Sequence, residues 1–206
     1  DLHSFPTRRS SDLVQRTFTY SIGGFGCNMA CLYCQNYMIS QEFDNFNRGI
    51  KILPEMIVKN ALKYNCKSIS WTYNEPTIHL PFNKKTSLLA KRKNLKIVYV
   101  SNGYMSSQSI NEILTFVDAF NIDLKSMSRE FYKKICGADL DVVLDNLKRI
   151  YTESKHLEIT NLIINGYNDS KKQIKELCDF VVDELGPEVP LHFSRAFPYY
   201  KMKKLN

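Results

Sequence analysis

The chain of 206 residues is 44% apolar and carries 28 lysines and arginines against 21 aspartates and glutamates, a formal net charge of +7. That size suits one domain with a sizeable core, no run approaches the roughly 18 to 20 consecutive apolar residues of a bilayer span, and the N-terminal region lacks the apolar stretch of a secretory signal. The basic excess is scattered through NKK, AKRKNLK and KMKK, so it reads as solvated surface; a soluble cytoplasmic protein is expected, with neither membrane nor nucleic acid as a partner.

In chain order, residues 1–13 (DLHSFPTRRSSDL) are polar and without apolar periodicity, and they are set aside as a non-native or disordered leader. From Val14 onward, short β-branched or aromatic runs alternate with helical patterns, the signature of βα units on a parallel sheet. Strands are expected near 17–23, 67–73, 96–101, 118–124, 156–164 and 189–193. Between the first two, Pro54 suits a first helical position, and Ile57, Val58, Ala61 and Leu62 share one face. After the fifth strand, Ser170 and Gln173 form a capping-box pattern, and Ile174, Leu177, Cys178, Val181, Val182 and Leu185 recur at helical spacing. Six units are too few for a closed eight-stranded barrel, so the fold class expected is α/β, a partial (βα)6 TIM-like barrel with right-handed connections.

The segment GGFGCNMACLYCQN follows the first strand and brings Cys27, Cys31 and Cys34 into one loop. Without an export signal, six cysteines do not suggest a disulfide framework, and this clustering points to metal ligation. Three thiolates leave a metal one ligand short. A structural zinc would be closed by a fourth protein ligand such as His192, giving a zinc-binding interaction module. An iron–sulfur cluster would keep one iron open, and sulfur ligation suits either metal. Cys66, Cys136 and Cys178 read as small buried residues. Gly23, Gly24 and Gly26 match neither dinucleotide nor Walker spacing; they let the backbone approach the metal group.

In a partial barrel, functional residues gather at the C-terminal ends of the strands. The second strand ends in Thr72, Tyr73, Asn74 and Glu75, and the third in Ser101, Asn102 and Gly103. The fourth gives Asp123 and Lys125, the fifth Asn165 and Gly166, and the sixth His192, Ser194 and Arg195. Together with the cysteine loop they would form a concave polar site with charges of both signs, suited to a charged cofactor.

On these residues the chain resembles radical S-adenosylmethionine (SAM) enzymes of the pyruvate formate-lyase-activating type, and within them the radical SAM member of the AmmeMemoRadiSam group. The resemblance runs from about Phe18 to Met202 through GCNMACLYCQN, SWTYNEPT, VSNGY, IDLK, LIINGYND and LGPEVPLHFSRAFPYYKM. Tyr33 fills the aromatic position of the family's cysteine pattern. The resemblance implies that Cys27, Cys31 and Cys34 ligate three irons of a [4Fe–4S] cluster and that SAM chelates the fourth. It places Glu75 at the methionine amino group, although the family's preceding pair of glycines is absent. Lys125 would face the SAM carboxylate, Asp123 would hold a cation or the cofactor, Ser101 and Asn102 would line its site, Asn165 would lie near the ribose, and His192 near the adenosine or carboxylate. It further implies reductive cleavage of SAM to a 5′-deoxyadenosyl radical, a protein substrate, and Memo-like and AMMECR1-like partner proteins. Residues 14–206 then form a radical SAM core domain. Family members usually carry a cysteine-containing segment before the first strand and residues after Pro-Tyr-Tyr-Lys-Met, so this chain is expected to be a fragment of a longer protein.

Overall fold

The computed structural model describes residues 17–42 and 49–202, so the expectation for residues 1–13 lies outside it. Six strands, β1 (Thr19–Ile22), β2 (Ser68–Trp71), β3 (Lys96–Ser101), β4 (Ala119–Asp123), β5 (His156–Ile163) and β6 (Leu191–Arg195), form one sheet in sequence order. Every neighbouring pair is parallel, and β1 and β6 are not paired with each other. The sheet is therefore open, alternates with helices, and has the partial-barrel architecture expected. Parallel strands reach such a register only through crossovers, which the intervening helices supply.

Those helices are α1 (Tyr37–Ser40), α2 (Pro54–Lys63), α3 (Leu80–Lys91), α4 (Ser107–Leu114), α5 (Arg129–Phe131), α6 (Leu140–Thr152) and α7 (Lys171–Phe180). Their starts are chemically marked. Ser106, Ser128 and Ser170 each accept a backbone N–H three residues on, and Asp139 accepts that of Asp141. Such caps stabilise a helix by about 1 kcal/mol each. At α7 the Ser170 hydroxyl also lies 2.9 Å from Gln173 Oε1, while the Gln173 amide reaches Tyr167 O, so only one half of the capping box forms.

The core lies between sheet and helices. Ile69, Ile97, Tyr99, Ile122 and Ile159 are inaccessible to solvent, and Trp71 donates its indole N–H to Ser87 on α3 at 3.2 Å. Each such aliphatic or aromatic side chain stabilises the fold by roughly 1.5–3 kcal/mol. Among the described residues no helix is long and apolar enough to cross a membrane.

Three details differ from the sequence reading. β6 runs from Leu191 to Arg195, two residues later than expected. Leu62 is exposed, at the flank of a stripe whose buried residues are Ile57, Val58 and Ala61 on a helix packed chiefly against α3. Val182 is also exposed: α7 passes into a π turn, Val181–Leu185, whose wider winding returns the chain to its buried face at Leu177, Val181 and Leu185. A second π turn, Tyr132–Cys136, continues α5 and is closed by Gly137 at φ 67°. Its first and last residues, Tyr132 and Cys136, are both fully buried.

Candidate functional site

The loop leaving β1 has no regular hydrogen-bond ladder, so its polar backbone must be satisfied by neighbours. Asn74 does this at both ends of the glycine segment, accepting from Gly24 N at 3.0 Å and donating to Gly26 O at 2.7 Å. The His79 imidazole lies 2.9 Å from Phe25 O, Asn36 donates to Tyr73 O, and Gln41 donates to Met29 O. On the far side, Ala30 N donates to Cys136 O and Leu32 N to Ile135 O. A Cβ on Gly24 would overlap the His79 ring, so glycine is what lets this clamp close.

Nine of the predicted site residues line one cavity of about 240 Å³: Cys27, Cys31, Tyr33, Cys34, Glu75, Ser101, Asn102, Asp123 and Lys125. A larger hollow of about 550 Å³ between α4 and α6, lined by Met105, Asn146, Lys148 and Arg149 among others, contains none of them. Asn165 and His192 do not reach the cavity. Asn165 is exposed in the loop after β5, and His192 pairs instead with buried Glu158 at 2.9 Å, which also holds His156 at 3.0 Å.

All three loop cysteines are free thiols. Burial pushes Cys27 up to about 11 and also raises Cys34; the hydrogen bond to Cys136, followed by burial, raises Cys31. Loading a metal must therefore displace their protons. Two donors already aim at Cys27 Sγ, Met29 N at 3.4 Å and Asn102 Nδ2 at 3.6 Å, and such donors stabilise a thiolate. The nearby cation is Lys125, whose side chain is only 13% exposed and lies 3.1 Å from Asp123 Oδ2. Burial works against its charge, but Asp123 and the surrounding thiols outweigh this and hold its pKa well above the ordinary value. The Lys125 backbone is fixed by Tyr132 Oη on its N–H and Asn168 Nδ2 on its carbonyl.

Glu75 is 1% exposed and caps the short 3₁₀ turn Pro76–His79. Its carboxylate accepts from Thr77 N and Oγ1, from Ser101 Oγ and from Asn102 N at 2.5–3.0 Å, tying the end of β2 to the end of β3. Burial raises its pKa despite these bonds. Thr72, Tyr73 and Asn74, expected on the rim, line the same cavity. His79, Cys136 and Asn168 support the site without having been sequence candidates, and they show their role only through tertiary contacts.

The donor set can be tested against the metal groups considered. Cys27, Cys31 and Cys34 are free thiols that line one cavity with Lys125 and Glu75, and a [4Fe–4S] cluster takes one thiolate per iron, so this donor set suits three of its irons.

Comparison with known proteins gives a match to the Radical SAM superfamily over residues 21–181. Uncharacterized protein MJ0808 of Methanocaldococcus jannaschii is 40% identical over 200 residues, covering 97% of this chain and 56% of that protein. The (2S)-3-sulfopropanediol dehydratase activating enzyme of Klebsiella oxytoca is 24% identical over 56% of this chain and 36% of its own length. Streptococcus suis SuiB, solved with S-adenosylmethionine bound, superposes with a TM-score of 0.69 at 14% identity over 92% of this chain and 44% of that one. SuiB solved with its precursor peptide SuiA gives the same TM-score. The SuiB likeness establishes the fold. The chain spans about half the length of curated relatives such as MJ0808.

Proposed function

This chain belongs to the Radical SAM superfamily, and on that premise we propose that it is the core of an activase-like radical SAM oxidoreductase. Cys27, Cys31 and Cys34 would hold three irons of a [4Fe–4S] cluster, and the methionine end of SAM would hold the fourth. Bound together, these groups supply reductive cleavage of SAM to a 5′-deoxyadenosyl radical that takes hydrogen from the substrate. The observation that carries the reading is the meeting of three free thiols with Lys125 and Glu75 on the wall of one cavity.

The chain's own residues supply binding and orientation. A zwitterionic methionine tail needs a cation for its carboxylate and an acceptor for its ammonium. Lys125 provides the first, held charged by Asp123. Glu75 provides the second, its oxygens already aimed by Ser101 and Asn102. Tyr33 fills the back of the loop, packed against Phe131 at 6.1 Å. Asn165 and His192 lie outside this cavity, so the ribose and adenosine contacts expected of them are not part of the proposal.

The substrate is proposed to be a protein. An activating enzyme among the relatives and a structural neighbour bound to a precursor peptide support this class. The motifs running through NEP, SNGY and PYYKM support an AmmeMemoRadiSam system, with Memo-like and AMMECR1-like partners in the cytoplasm.

The test uses the complete protein, reconstituted anaerobically with iron and sulfide, reduced and given SAM. We expect iron and sulfide to bind and 5′-deoxyadenosine to be released, with Cys31→Ala losing both iron and cleavage. A colourless protein that binds one zinc per chain and no iron would refute the assignment.

A further inference from the structure

Among the described residues, Asn65, Tyr73, Asn94, Ser154 and Tyr200 have left-handed backbone without being glycine. Asn65, Asn94 and Ser154 lie just beyond the ends of α2, α3 and α6, where a left-handed residue is an ordinary way for a helix to stop. Tyr200 stacks on Tyr37 with ring centroids 5.0 Å apart. Tyr73, at φ 73°, has neither explanation. It stands in the loop after β2 and lines the cavity, in a backbone conformation that a bulky side chain adopts only at a cost. Its surroundings hold it there. Thr72 N donates to Ile22 O at 2.8 Å, Asn36 Nδ2 donates to Tyr73 O at 2.6 Å, and Asn74 clamps the glycine segment from both ends. The ring rests on Gly23, where a Cβ would stand 3.1 Å from Tyr73 Cδ2. Glycine would take this backbone without strain, so the turn gives no reason for a tyrosine and the side chain must supply one.

We propose that Tyr73 is a binding residue for the sulfonium of SAM, its ring supplying the complement that Glu75 and Lys125 do not; this rests on the SAM-binding reading given above. SAM carries an ammonium, a carboxylate and a sulfonium. Glu75 and Lys125 answer the first two. The sulfonium has no N–H or O–H to donate, so it cannot form a hydrogen-bonded ion pair, and a cation of that kind is suited to the negative face of an aromatic ring. Among the described residues, the aromatic ones lining the cavity are Tyr33 and Tyr73. Tyr33 is 3% exposed and packed against Phe131, whereas Tyr73 is 41% exposed. Only Tyr73 therefore has ring surface to give to a ligand, and it stands two positions before the carboxylate assigned to the ammonium of the same methionine. The strain at Tyr73 then has a use: it holds an aromatic face at the cavity where an unstrained glycine would leave none.

The experiment uses the complete protein, reconstituted anaerobically and left oxidised so that SAM is bound without being cleaved. Wild type, Tyr73→Gly and Tyr73→Phe are titrated calorimetrically with SAM and with S-adenosylhomocysteine, which keeps the ammonium and carboxylate but has a neutral sulfur. Each protein is also melted without ligand. We expect Tyr73→Gly to bind SAM about fivefold more weakly, the strength of a cation–π contact at an exposed site, and to bind S-adenosylhomocysteine as wild type does. Tyr73→Phe, which keeps the ring face, should match wild type for both ligands. Relief of the left-handed strain offsets the packing lost on Gly23, so Tyr73→Gly should unfold no earlier than wild type. Unchanged SAM binding in Tyr73→Gly overturns the inference, as does an equal loss for both ligands; in either case the cluster ligands and Glu75 keep their assignment. A Tyr73→Gly protein that melts well below wild type also overturns it, because the ring would then serve the fold. A wild-type protein that binds no SAM overturns the SAM-binding reading and this inference together.

Discussion

The two halves of the rim carry carboxylates of contrasting character. Glu75, after β2, is 1% exposed and its oxygens accept hydrogen bonds from Thr77, Ser101 and Asn102. Asp123, at the end of β4, has a side chain 40% exposed and a single ion pair, with Lys125. Both are acidic residues at the end of a parallel strand, and both line the same cavity. The contrast teaches that the first half of the rim is organised before any ligand arrives. The second half keeps its charge pair where an incoming carboxylate can compete for the lysine.

The largest expected effect tests the first half. Glu75→Ala strands the Ser101 hydroxyl and the Asn102 N–H in a buried site, and it should cost on the order of 3 kcal/mol in a urea unfolding experiment. Glu75→Gln should cost less than half as much, since it keeps an acceptor and sheds the burial cost of the charge. A small loss in Glu75→Ala would break the contrast.

A pH experiment sharpens it with a third carboxylate. Burial raises the Glu75 pKa, so the folded state holds its proton longer than the unfolded chain, and this group's contribution to stability falls as pH rises above the ordinary value near 4.5. Glu158 is also buried, yet hydrogen bonds from His156 and His192 outweigh burial and lower its pKa. Its contribution is therefore fully present above about pH 4.5 and is lost as pH falls through the depressed folded value. Stability compared between wild type and Glu158→Gln should diverge in favour of wild type as pH rises through this window. For Glu75→Gln the difference should move in the opposite direction.

The smallest effect is expected at Asp123→Asn. Asp123 is itself 40% exposed and Asn keeps an oxygen for Lys125 Nζ, so although Lys125 is only 13% exposed the change should stay within about 1 kcal/mol in the same urea experiment. A loss as large as that of Glu75→Ala would show the second half to be as rigidly organised as the first.

Much of this architecture was legible in the residues. Strands such as KIVYVS, apolar along both faces because helices and barrel interior cover both sides, stand out from their surroundings. The cysteine loop was legible for a different reason: three thiols within eight positions are hard to explain by burial alone. What escaped were features fixed by tertiary contact. β6 was misplaced by two residues because Val189 is apolar and buried before the strand begins, while Ser194 and Arg195 at its end are polar. His79 and Asn168 act through side-chain bonds to backbone that local patterning does not register. Cys136 read as core filler because its partner, Tyr33, lies 103 positions away in the chain.

The π turn Tyr132–Cys136 makes segment length a constraint in its own right. A π turn holds its chain with i→i+5 bonds where an ordinary helix uses i→i+4, the mark of one inserted residue. Deleting either Lys133 or Lys134 would return it to i→i+4 bonds and shorten the path from Tyr132 to Cys136 by one residue. Tyr132 Oη on the Lys125 amide and Cys136 O on the Ala30 amide would then have to be reached over a shorter segment. A homologue one residue shorter here has to re-make both contacts over that span, however well its other residues agree.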